Sequence, residues 1–149
     1  MSKQTFEEQL ETQGVIIHTN LGDSMMPLLR EGRDLMVIER RPEGPCKRYD
    51  AVLYKRPNGK YVMHRILQVR KDGYVLCGDN RCWREFGVPD SWILGILTAV
   101  IKDGKTIRVT DFRYRLYVHL WCDFFWIRVF LLRVKGFLRR RIFKGKGKK

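Results

Sequence analysis

What this sequence of 149 residues lacks narrows its function before any motif is read. Its four cysteines (Cys46, Cys77, Cys82 and Cys122) form no CxxC pair and no Cys/His cluster, which speaks against a zinc site or a disulfide-stapled scaffold. Free thiols are the expectation, as in a cytosolic protein, and no residue pattern asks for a metal or cofactor. Only three histidines are present (His18, His64 and His119), so candidates for a general base are few. No stretch of ~20 apolar residues is free of charge, as a spanning helix would need. The opening MSKQTFEEQLETQG is polar and acidic, unlike a secretory signal. Acidic residues nearly vanish from the end: residues 113–149 carry twelve Lys/Arg and one acid, Asp123, while the preceding body is close to balanced. The formal charge of +14 therefore belongs mostly to the tail.

What is present reads as one mainly β domain. An apolar fraction of 44% with 12% aromatics is enough for a buried core. Thr5 and Glu8 have the spacing of a capping box, predicting a short helix to about Gln13 with Gly14 as its stop. Runs rich in β-branched and aromatic residues follow at Val15–Thr19, Asp34–Glu39, Ala51–Lys55, Tyr61–Val69, Tyr74–Gly78, Ile93–Lys102 and Thr106–Thr110. Asn58-Gly59, Asp72-Gly73 and Asp103-Gly104 supply the positive φ of tight hairpin turns, so the strands are expected to run antiparallel. Between Asp79 and Asp90 the chain reads as irregular. The expected division is an N-terminal helix over 1–13, a β body over 14–111 and a tail over 112–149.

The tail interleaves aromatics with arginines and contains a single glycine, Gly136, before residue 144, which predicts one or two helices. His119, Asp123, Arg128 and Arg133 interrupt its apolar stretch. A helix lying in the headgroup region of an anionic membrane is expected, with Trp121 and Trp126 in the interface and Arg128, Arg133, Arg139, Arg140 and Arg141 on phosphates. A single C-terminal span and docking on protein or nucleic acid are the alternatives, nucleic acid being the less favoured partner.

Three short motifs carry the chemistry. Residues 22–27, GDSMMP, set Ser24 between a Gly-Asp turn and two methionines that suit an apolar floor for a substrate. An unactivated serine needs a base within hydrogen-bond reach, and His64 lies in the strand YVMHRI, on the opposite face from Arg65. Arg65 stays protonated and cannot be that base. Gly78-Asp79-Asn80 then opens the loop that also carries Asp90, either aspartate being a candidate to orient an imidazole, with Asp90 weakly preferred.

In this order, Ser24-Met25-Met26-Pro27, His64-Arg65 and Gly78-Asp79-Asn80 resemble the type I signal peptidases and the related self-cleaving repressors of the LexA superfamily. The resemblance covers about residues 14–102. It implies a LexA/signal-peptidase-like body of coiled antiparallel sheets and a serine endopeptidase acting on signal- or leader-type peptides with small residues flanking the cut. His64-Arg65 stands where bacterial members use lysine, so the chain resembles the histidine variant of the endoplasmic-reticulum and archaeal type. Ser24 would be the nucleophile, His64 the general base, and Asp79 or Asp90 its orienting partner. Met25, Met26 and Gly22 would bound the substrate and oxyanion positions. The family's N-terminal anchor has no counterpart here, and only about twenty residues precede Ser24, too few for a repressor's DNA-reading domain. Both alanines, Ala51 and Ala99, are followed by valine, which speaks against repressor-style cutting at Ala-Gly. The expectation is a cytoplasmic peptidase held peripherally at a membrane by its tail. The competing expectation is a non-catalytic module that binds membrane or nucleic acid through that tail.

Overall fold

The computed structural model describes residues 4–145, with side chains through Ile142; the first three residues of the N-terminal segment and the last four of the tail lie outside the described residues. Helix α1 (Phe6–Gln13) is closed by the expected capping box: Glu8 N–H donates to Thr5 Oγ1 at 3.3 Å, and Thr5 N–H donates to Glu8 Oε2 at 2.9 Å. Gly14 ends it in the left-handed region at φ 73°, where a Cβ would be strained. The strands follow as β1 (Val15–Thr19), β2 (Leu35–Arg40), β3 (Ala51–Lys55), β4 (Tyr61–Arg70), β5 (Gly73–Cys77), β6 (Glu85–Val88), β7 (Ile93–Lys102) and β8 (Lys105–Arg108). Helices α2 (Phe112–Asp123) and α3 (Phe125–Gly145) complete the chain.

Over the described residues the protein is mainly β, an open antiparallel sheet of eight strands with three α-helices. Strand order is β1-β2-β7-β3-β4-β5-β6, with β8 paired to β7. The three dipeptide turns join β3 to β4, β4 to β5 and β7 to β8, as their chemistry predicts. Ten-residue β7 serves several partners: its first part pairs with β3, most of its length with β2, and its last residues with β8.

Strand β6 is absent from the sequence-based reading. It is four residues long, holds Gly87 at φ 67°, and pairs irregularly with the outer side of β5. A short edge strand with an interrupting glycine gives little periodic signal. Its place in the fold nonetheless matters, because it brings Glu85 beneath β4.

Apolar side chains gather in two clusters. The larger joins Leu10, Met25, Leu53, Met63 and Val100 with Tyr114, Val118, Phe125 and Val129 of the C-terminal helices. The smaller holds Val52, Tyr54, Ile66, Leu76 and Val88. The middle of β4 is covered throughout: Met63, His64, Arg65, Ile66 and Leu67 are all buried. A strand with a buried histidine and a buried arginine side by side must supply partners to both.

Candidate active site

The Ser24 turn is held from below. Buried Asn20 donates through Nδ2 to the Gly22 carbonyl at 2.6 Å, and Met26 N–H donates to the Asp23 carbonyl at 3.1 Å. Met25 is 0% exposed in the main core, a burial worth about 1.5–3 kcal/mol. That anchor leaves Ser24 half-buried on the wall of a cleft of about 620 Å³, which His64, Met63, Tyr61 and Arg81 also line. Among the described residues, no hydrogen bond engages the backbone N–H of Ser24 or Met25, so both remain available as donors.

The Gly-Asp-Asn segment after β5 divides its work among its residues. A Cβ at Gly78 would fall 2.7 Å from the Ser24 carbonyl oxygen and 3.1 Å from His64 Nε2. Only glycine lets the loop, the serine turn and the imidazole converge there. Asp79, 0% exposed, receives two hydrogen bonds from the equally buried Arg65, at 2.9 and 2.7 Å. Its outer oxygen accepts from Tyr117 Oη at 2.8 Å, and its backbone carbonyl accepts from Trp121 Nε1 at 2.7 Å. Arg65 further donates to the Tyr49 carbonyl and to Tyr114 Oη. Removing one member of such a buried pair costs about 3–5 kcal/mol, because the other is left charged and alone. Asn80 N–H donates to the Ser24 carbonyl at 2.8 Å, and Arg81 forms a 2.6 Å ion pair with Asp23. The loop is thus fastened to the serine turn on one side and to α2 on the other.

His64 lies diagonally across the β3–β4 pairing from Tyr54. Its Nδ1 is 3.2 Å from Tyr54 Oη, which itself donates to Glu85 Oε2 at 2.7 Å. Arg56 closes the group with a 2.6 Å ion pair to Glu85. Burial pulls the His64 pKa down to about 4, against the opposing charge of Glu85. The ring is therefore neutral near pH 7, as a general base must be. Burial works against the Glu85 charge too, but hydrogen bonds from Arg56 and Tyr54 outweigh it and hold that carboxyl below its usual range.

Several expectations require correction. Neither aspartate orients His64 in this structure: Asp79 is spent on Arg65 and Tyr117. Asp90, the weakly preferred one, accepts from Tyr74 Oη at 2.6 Å and pairs with Arg41 at 2.6 Å. The group behind His64 is Tyr54 with Glu85, which no motif announced. A tyrosine in the middle of a strand reads as core, and Glu85 lies in a stretch whose sequence reads as irregular. The methionines do not floor the cleft. Met25 belongs to the core, Met26 is not on the cleft wall, and Met36 and Met63 line it instead. Gly22 does line the cleft. In the tail, Arg128 is 2% exposed, and Trp121 is half-buried with its N–H committed to Asp79. Neither presents itself to a membrane as expected, whereas Trp126, Arg133, Arg139, Arg140 and Arg141 are exposed. No hydrogen bond joins Ser24 Oγ to His64, and the two side chains meet only as walls of the same cleft.

No family model, curated protein or solved structure matches this chain. Among the described residues, no helix is long and apolar enough to cross a membrane.

Proposed function

We propose that the protein is a serine endopeptidase of the signal-peptidase/LexA kind, cutting an extended peptide laid in the Ser24–His64 cleft. The observation that carries this reading is the convergence at Gly78. A side-chain carbon on Gly78 would stand 2.7 Å from the Ser24 carbonyl oxygen and 3.1 Å from His64 Nε2, so the serine turn and the imidazole both close on this one residue. A turn serine and a core histidine have no structural reason to share such a spot. On this reading the sheet is the coiled body of that superfamily.

In the proposed reaction Ser24 Oγ attacks the peptide carbonyl carbon and His64 Nε2 takes its proton. The developing oxyanion lies against the free N–H of Ser24 or its neighbour. The carbon–nitrogen bond then breaks as the same proton passes from Nε2 to the leaving amine. Water, deprotonated by His64 Nε2, attacks the acyl-enzyme ester; the ester C–Oγ bond breaks, the proton returns to Ser24 Oγ, and the second product leaves as its carboxylic acid. Catalytic hydrogen bonds are commonly long before substrate binds and tighten in the complex. Small residues flanking the cut come from the resemblance alone.

A second reading has its own support. Ile127, Leu131, Val134, Leu138 and Ile142 recur along α3 at i, i+4, i+7, i+11 and i+15, and all five are exposed. Phe130 and Phe137 widen that face. Arg133, Lys135, Arg139 and Arg140 are exposed alongside it. An apolar stripe edged with cations suits the headgroup region of an anionic bilayer, such as a cytoplasmic leaflet. We take this as where the peptidase works; on its own it would make the chain a binding module. A degenerate peptide library separates the two. Wild type is expected to cut a subset of peptides, and Ser24→Ala and His64→Ala to lose nearly all turnover. Equal cutting by all three proteins would end the peptidase reading.

A further inference from the structure

We propose that Tyr54 and Glu85 are the positioning residues of the site, holding His64 in the one tautomer that leaves Nε2 free for Ser24. The inference rests on the peptidase reading for its purpose, but not for its geometry.

Tyr54 Oη has a single hydrogen to give. Three groups surround that oxygen: Glu85 Oε2 at 2.7 Å, His64 Nδ1 at 3.2 Å and Arg56 Nη2 at 3.4 Å. An ionised carboxylate only accepts and a guanidinium only donates. The tyrosine hydrogen therefore goes to Glu85, and the nitrogen of His64 facing Tyr54 must bring its own. Nδ1 carries the ring hydrogen, and Nε2 keeps its lone pair. Nε2 is the atom that looks across Gly78 toward the serine turn. With this tautomer Tyr54 Oη gives its one hydrogen to Glu85 and accepts from His64 Nδ1 and Arg56 Nη2. The opposite tautomer would set the Nδ1 lone pair against a tyrosine oxygen whose hydrogen is already given.

The role is the one an aspartate plays in a Ser-His-Asp triad, with a phenol inserted between carboxylate and imidazole. No proton needs to reach Glu85. When Nε2 takes the Ser24 proton, the imidazolium keeps its Nδ1–H on Tyr54 Oη, and the paired Glu85 stabilises the positive charge through that phenol. Arg56 fixes Glu85 with Nε at 3.2 Å and Nη2 at 2.6 Å, so the carboxylate cannot swing toward solvent without losing both bonds. The two aspartates that motif order would favour are occupied elsewhere, which leaves this role to the hidden pair.

The test uses the full chain. In ¹⁵N NMR at neutral pH, His64 is expected as the Nδ1–H, Nε2-bare tautomer, assigned by its loss in His64→Gln. Tyr54→Phe keeps the ring's packing and deletes only the hydroxyl. It should abolish the tautomer preference and lower kcat about 10- to 100-fold with little change in KM, the size usual when the outer hydrogen-bond partner of a metal-bound histidine is removed. Glu85→Gln keeps the shape, removes the charge and should act in the same direction. An Nε2–H tautomer in the wild type would overturn the proposal, whatever the turnover. So would a Tyr54→Phe protein with unchanged tautomer and unchanged kcat. Ser24→Ala serves as the separate control: if it still cuts peptides, the peptidase reading fails while the tautomer result stands.

Discussion

His64 sets the pH behaviour of the molecule through its own burial. The charges around it are Glu85 and Arg56 across the sheet, with Arg81 and Asp79 on the loop after β5. With a folded pKa near 4, against an ordinary imidazole value of 6.5, the unfolded chain binds the extra proton first as pH falls. The resulting stability is complete above about pH 6.5 and is lost as pH drops toward 4. It amounts to about 3 kcal/mol at 1.36 kcal/mol per unit. Urea titrations at pH 7 and pH 4.5 should show the wild type losing more stability than His64→Gln over this interval. Peptide cleavage should likewise keep its acid limb near pH 4, not near 6.5. A limb at the ordinary imidazole position would mean that His64 is solvated in solution.

At the scale of elements, helix α2 bears on the site without touching the cleft. Trp121 Nε1 is the partner of the Asp79 carbonyl, so Trp121→Phe strips a buried acceptor and should cost about 1–3 kcal/mol. Thermal melting beside a turnover assay is the check, and unchanged values in both would deny α2 any part in bracing the loop. Helix α3 adds Arg128, whose Nη2 reaches the Arg81 carbonyl at 3.2 Å and Cys77 Sγ at 3.3 Å. Much of this framework was legible in the sequence. The Thr5/Glu8 box, the Asn-Gly and Asp-Gly turns and the alternation along β4 are local signals, and local signals survive without knowledge of the fold. The partners of His64 were not legible for the opposite reason. Tyr54 and Glu85 meet only because β6 returns along β5, a non-local pairing that a four-residue strand with an inserted glycine does not advertise. Arg128 misled in the same manner: on a helix drawn alone it is one more cation, and only packing against Phe125 and the loop turns it inward.

At the scale of the whole molecule, charge and apolar surface are displaced to one end. Helix α3 is 21 residues long, about 30 Å at 1.5 Å per residue, and much of it stands clear of the body with Trp126 75% exposed. Cosedimentation should therefore find the protein on vesicles rich in phosphatidylserine and not on phosphatidylcholine alone, with binding weakened by salt. Phe130→Ser with Leu131→Ser should reduce it without altering cleavage of a soluble peptide. Equal recovery on both kinds of vesicle would exclude an electrostatic contribution. The bracing of the loop by the last helices has a further meaning in time. Ser24 and His64 leave the ribosome early, and the loop residues Gly78–Arg81 follow. Tyr114, Tyr117, Trp121 and Arg128 come last among the site's supports, so the order of synthesis acts as a clock. Ser24 and His64 are both made well before the residues that brace the Gly78–Arg81 loop, so that bracing can form only as translation passes through the tail.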